Sequence, residues 1–91
     1  MTQLLADILK GGTLGRAVRE GRVVGLWEKT VSAEIARHTE ALKIHRKTLY
    51  VNVKSPVWAQ ELNFLKVQII DKINQSAGYP AIKDIRFKAG G

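Results

Sequence analysis

Residues 49–70 read LYVNVKSPVWAQELNFLKVQII, and the point where their periodicity changes decides the fold. Leu49, Val51 and Val53 alternate with Tyr50, Asn52 and Lys54, the period of a strand that buries one face. Ser55 and Pro56 end the alternation: serine suits a helix N-cap, and proline suits the first helical position, where its missing N–H costs nothing. Beyond them Trp58, Leu62, Leu65, Ile69 and Ile73 recur at helical spacing, with Val57, Phe64 and Ile70 widening the stripe. The spacing predicts one helix over 56–77, closed by Gly78 ahead of Pro80. It also places Trp58 in the core, facing the sheet, because a large aromatic on an apolar helix stripe usually packs.

The pattern extends outward in both directions. Leu42 and Ile44 share one face before HRKT, residues 45–48, so 41–53 reads as a β-hairpin whose turn has no Asn-Gly or Asp-Gly to fix its register. Downstream, AIKDIRFK, residues 81–88, sets Ile85 and Phe87 on one side and Asp84, Arg86 and Lys88 on the other, a last short strand. Upstream, Val24, Trp27, Val31 and Ile35 mark a long helix, whose first turns are weakened by Gly21 and Gly25. Leu4, Leu5, Ile8 and Leu9 mark a short amphipathic helix over 2–10, followed by the connector Gly11–Gly12. The order α-α-β-β-α-β predicts one two-layer α+β domain over residues 1–91, its three-stranded sheet covered on one face by helices. If the second and third strands lie parallel, their helical crossover is right-handed.

Composition narrows the function. The 91 residues are 45% hydrophobic and 25% charged, enough apolar content for one core and too much for a disordered chain. There is no cysteine, hence no disulfide and no thiolate chemistry. No window reaches the ~18 apolar residues of a membrane span, and the N-terminus lacks the basic region of a signal peptide, so a cytoplasmic protein is expected. Glu34 and His38 stand one helical turn apart and His45 follows, but no serine pairs with either histidine and no further ligand completes a metal site. The sequence therefore reads as a non-enzyme with no cofactor or metal.

The charge asks for a partner: 15 Lys and Arg against 8 Asp and Glu leave a net +7, the balance of a chain that meets a polyanion, most often nucleic acid. Two surfaces are candidates. The open face of the sheet carries Lys43, His45, Tyr50, Asn52, Lys54, Asp84, Arg86 and Lys88, with Arg46 and Lys47 at the hairpin tip. Lysines and arginines there can meet phosphates and Tyr50 can stack on a base, although half-exposed strands also carry Lys and Tyr without a ligand. Arg16, Arg19 and Arg22 share a helix face and can grip a backbone, or form an ordinary solvated face that Glu20 partly compensates. GTLG, residues 12–15, matches the G-x-x-G of a nucleic-acid clamp but lacks its flanking cations and strand placement, so no clamp is assigned to it.

LWEKTVSAEIARHT, TLYVNVKSPVWAQELNFLKVQIIDKIN and IKDIRFKAGG together resemble the bacterial DciA-type domain, over about Leu26 to Gly91. The sequence departs from that family's pattern at Ser32 and Lys47, where glycine is common, and at Glu40, where proline is common. The resemblance implies a KH-like fold, DNA binding and assistance in recruiting or loading the replicative DNA helicase on single-stranded DNA without use of ATP. It implies as partners that helicase and single-stranded or duplex DNA; a nucleoid-associated monomer with no membrane contact is expected. In many members a flexible C-terminal tail contributes to helicase binding. A KH-like RNA-binding module, or a protein–protein scaffold with incidental basic charge, are the alternative readings.

Overall fold

The computed structural model describes residues 13–90. The helix expected over 2–10 and its Gly11–Gly12 connector lie outside the described residues. The elements are α1 (Thr13–Thr30), α2 (Ala33–Arg37), β1 (Thr39–His45), β2 (Thr48–Val53), α3 (Pro56–Phe64), α4 (Lys66–Ala77) and β3 (Asp84–Ala89). They form an α+β domain: a three-stranded sheet of order β1-β2-β3 with helices packed on it. β1 and β2 are antiparallel and joined by a tight turn; β2 and β3 are parallel and joined through α3 and α4.

Each of the two long helices expected from the sequence is interrupted once. The first runs unbroken through Gly21 and Gly25 and stops instead at Thr30. The side chain of Ser32 then accepts a hydrogen bond from the Ile35 N–H at 3.2 Å and starts α2 as its N-cap. The second long helix breaks at Leu65, whose N–H bonds the Leu62 carbonyl three residues back while its own carbonyl accepts the Ile69 N–H. Leu62, Ile69 and Ile73 are in the core, and Trp58 and Ile70 pack against it from the side. Val57 and Phe64, read as core, are 70% and 79% exposed. Ser55 caps α3 as read, with Pro56 in its first turn.

The covered face of the sheet is built on β2, where Leu49, Val51 and Val53 are buried. Against them lie Val23 and Trp27 from α1, Leu62 from α3, Ile69 and Ile73 from α4, and Ala81, Ile82 and Ile85 around the start of β3. On β1 the simple alternation fails, because Ala41 pairs with Val51 and Lys43 with Tyr50, leaving Leu42 as the extra residue of a bulge. Leu42, read as sharing the Ile44 face, is 48% exposed, while Ala41 and Ile44 pack against the core.

The enclosed tryptophan is Trp27, at 1% exposure. Its indole N–H donates to Thr39 Oγ1 at 2.8 Å, and that hydroxyl donates to the Ile35 carbonyl at 2.8 Å, so one relay ties α1, α2 and β1 together. Its ring also meets Phe87 of β3, centroids 6.0 Å apart and tilted by 55°. Trp58 is half-buried: it packs against the core from outside and stacks on His38 at 4.8 Å. Removing the hydroxyl relay while keeping its volume tests this arrangement. Thr39→Val leaves the buried indole N–H unpaired and is expected to cost about 1–3 kcal/mol in chemical denaturation. An unchanged midpoint would contradict it.

Candidate nucleic-acid interface

The hairpin tip is set by backbone geometry unusual for its residues. His45 pairs directly with Thr48, leaving a two-residue turn of Arg46 and Lys47, with φ of 50° and 60°. Positive φ at both central positions is the turn that matches strand twist and favours Asn-Gly; for residues with a Cβ it costs roughly 1 kcal/mol or more each. The tip is braced from β3, since the Lys47 carbonyl accepts the Lys83 N–H at 2.8 Å and the Asp84 N–H at 3.4 Å.

The loop between α4 and β3 approaches the same end of the domain. Gly78 ends α4 in the left-handed conformation at φ 86°. Asn74 then holds the loop by a pair of bonds to Ile82: its Nδ2 donates to the carbonyl at 2.9 Å and its Oδ1 accepts the N–H at 3.0 Å. The Ala81 N–H bonds the Tyr79 carbonyl across Pro80 at 2.8 Å, a tight bend that leaves the Tyr79 side chain 44% exposed.

Between these two loops and the first turns of α1 opens a cleft of about 560 Å³. Arg16, Arg19 and Glu20 line it from the helix, Ile44, His45, Arg46 and Lys47 from the hairpin, and Tyr79, Pro80 and Ala81 from the loop. A smaller hollow shares Arg19 and Tyr79 and adds Arg22, so the helix arginines continue along one path. The helix row and the hairpin tip, read separately from the sequence, thus converge on one site. Among the described residues none of these cations is ion-paired, and Glu20 is the one acid of the lining.

The other expected residues divide differently. Lys43, Tyr50 and Arg86 lie side by side across the three strands on the open face, with Lys43 Nζ 5.4 Å from the Tyr50 ring centroid. Lys88 belongs to the next row, beside Asn52. Lys54 lies past the opposite end of β2 from the hairpin tip and lines a hollow with Glu28 and Glu40, apart from both cationic groups. Asp84 is neutralised where it stands, by an ion pair to Lys66 at 3.2 Å. Partial burial pushes its carboxyl up, but the Ile85 N–H, the Lys66 ammonium and Arg86 together hold it below the usual carboxylate range. A carboxyl lowered in the folded state adds stability above its unfolded pKa, and that contribution is lost as pH falls through the folded value.

Tyr79 escaped the sequence reading, although an aromatic between a helix-ending glycine and a proline belongs to no stripe that would bury it. GTLG does not form a loop, since Thr13–Gly15 are the first turn of α1. Glu34 and His38 do not form a pair: His38 lies beyond the end of α2, stacked on Trp58.

The fold and this end of it define an α+β domain with an open sheet and a cation-lined cleft. The family model described as "Dna[CI] antecedent, DciA" matches residues 1–87, and the chain belongs to that family. It is 35% identical over 70 residues to a UPF0232 protein of Rhodococcus jostii, covering 77% of this chain and 37% of the relative. A UPF0232 protein of Corynebacterium glutamicum is 33% identical over 73 residues, covering 80% and 41%. One of Mycobacterium marinum is 29% identical over 85 residues, covering 93% and 46%. The chain therefore spans less than half the length of these relatives.

The turn yields a prediction in which stability and binding move in opposite directions. Replacing the tip by Arg46→Asn with Lys47→Gly should raise folding stability by about 1–2 kcal/mol, read as the denaturation midpoint. The same change should weaken binding of a polyanion such as heparin. A lowered midpoint would refute the strained turn; unchanged heparin binding would remove the tip from the interface.

Proposed function

We propose that this chain is a non-catalytic DNA-binding accessory protein that assists the recruitment or loading of the replicative DNA helicase on single-stranded DNA. Membership of the DciA family supports the helicase connection. The observation that carries the DNA connection is the convergence of Arg16, Arg19, Arg46 and Lys47 on one cleft with an exposed tyrosine. Cations lining a concave wall neutralise successive phosphates and release their counterions, which gives affinity without reading sequence. Tyr79 offers a base a surface to stack on, a contact every base can make. Such a site suits a protein that must hold a strand wherever it is exposed. The work is then done in the cytoplasm, at the nucleoid, by binding alone.

Titration of the chain with a labelled single-stranded oligonucleotide, and separately with its cognate helicase hexamer, tests this reading. Neutralisation of four phosphates predicts that log K falls against log salt with a slope of about −3, and that Arg46→Gln reduces the slope by about 0.7. An RNA oligonucleotide of the same sequence should bind no more tightly, because the cleft contacts proposed are to phosphate and ring face. Absence of a complex with both DNA and helicase at low salt would overturn the reading, and sequence-selective preference for RNA would replace it with an RNA-binding one.

A further inference from the structure

The break at Leu65 leaves an apolar surface that the fold does not use. Val57 and Phe64 lie two turns apart on one face of α3, 70% and 79% exposed, and Val67, 71% exposed, follows on the first turn of α4. Large exposed apolar side chains scattered singly need no explanation, but a cluster around one helix corner marks an interaction site.

The charges around this cluster indicate its occupant. In a chain of net +7, no lysine or arginine occurs between Lys54 and Lys66. Lys66 itself is turned to Asp84. The acids stand on the apolar stripes: Glu61 between Val57 and Phe64 at helical spacing, and Asp71 one turn beyond Val67, both exposed. A polyanion is repelled here, whereas an apolar ridge edged with cations is matched. The corner stands on the β3 side of the domain, since α3 packs against β3 while α1 packs against β1, and the Lys66–Asp84 pair lies between it and the Lys47 carbonyl at the hairpin tip.

We propose that Val57, Phe64 and Val67 form a protein-docking surface that receives an amphipathic helix of the partner, its apolar ridge flanked by Lys or Arg facing Glu61 and Asp71. Phe64 is the anchor, as the large aromatic at the centre of the patch. Because none of the patch residues lines the basic cleft, protein and single strand are held by separate side chains. The identity of the partner rests on the helicase reading; the location and chemistry of the surface do not.

Helicase binding is measured by interferometry for the wild-type chain, Phe64→Glu and Glu61→Lys, with the oligonucleotide titration as control. Phe64→Glu is expected to weaken helicase binding at least tenfold and Glu61→Lys severalfold, with denaturation midpoints unchanged and DNA affinity within twofold of wild type. Hydrogen exchange on the helicase should show protection in one helical segment with apolar residues at i, i+3 or i+4, and i+7, bordered by cations. If wild type binds the helicase and both variants match it, this surface is wrong while the helicase reading stands. If wild type fails to bind, the helicase reading falls and this partner with it. Two further results overturn the assignment by naming another occupant. One is a self-associated species in sedimentation velocity that Phe64→Glu dissolves, which makes the surface a contact between copies. The other is amide shifts in residues 2–10 on Phe64→Glu, which makes the occupant the chain's own N-terminal segment.

Discussion

Trp27 is the constraint on which the rest of the structure depends. Its burial against the core fixes α1 to the sheet, its N–H to Thr39 fixes the start of β1, and its contact with Phe87 reaches the far strand. With α1 pinned at this end, the earlier turns of the same helix run toward the hairpin tip, which brings Arg16 and Arg19 to Arg46 and Lys47. A buried indole with one satisfied hydrogen bond thereby positions cations several turns away. The cationic end itself could not supply this rigidity, because like charges repel and must be held together by packing elsewhere.

The same division of labour explains the turn. Two cations at positive φ cost local stability that an Asn-Gly turn would not. The cost is offset by the bonds from Lys83 and Asp84 to the Lys47 carbonyl and by the β2–β3 pairing behind it. Strain confined to a few residues that a rigid frame over-determines is common where a surface is used. Asp84 serves both sides of this arrangement, closing the frame to Lys66 while its own negative charge is cancelled on the face that carries Arg86.

The strand–helix switch at Ser55 and Pro56 was legible because both residues have a local physical meaning, as was the β2 alternation, which holds in a central strand with one covered face. The helix breaks were not. Periodicity reports which residues are apolar, and Val57, Phe64 and Leu65 fit a buried stripe as well as Leu62 does; which side of α3 meets the sheet is set by tertiary packing. The bulge at Leu42 was hidden for the same reason, since one extra residue shifts the face without changing composition. For the site, the two basic groups were visible in sequence but their meeting was not, because residues 16–19 and 46–47 are joined only through tertiary packing. Tyr79 was passed over because it belongs to no periodic segment.

The central claim is that one end of the domain, and not the open sheet or the α3 corner, takes the single strand. Amide shift mapping of the chain with a short single-stranded oligonucleotide tests it directly. The account predicts the largest perturbations at Arg16, Arg19, Arg46, Lys47 and Tyr79, with residues 57–67 unmoved. Perturbations centred on Tyr50 and Arg86, or on Phe64 and Val67, with the cleft silent, would contradict it.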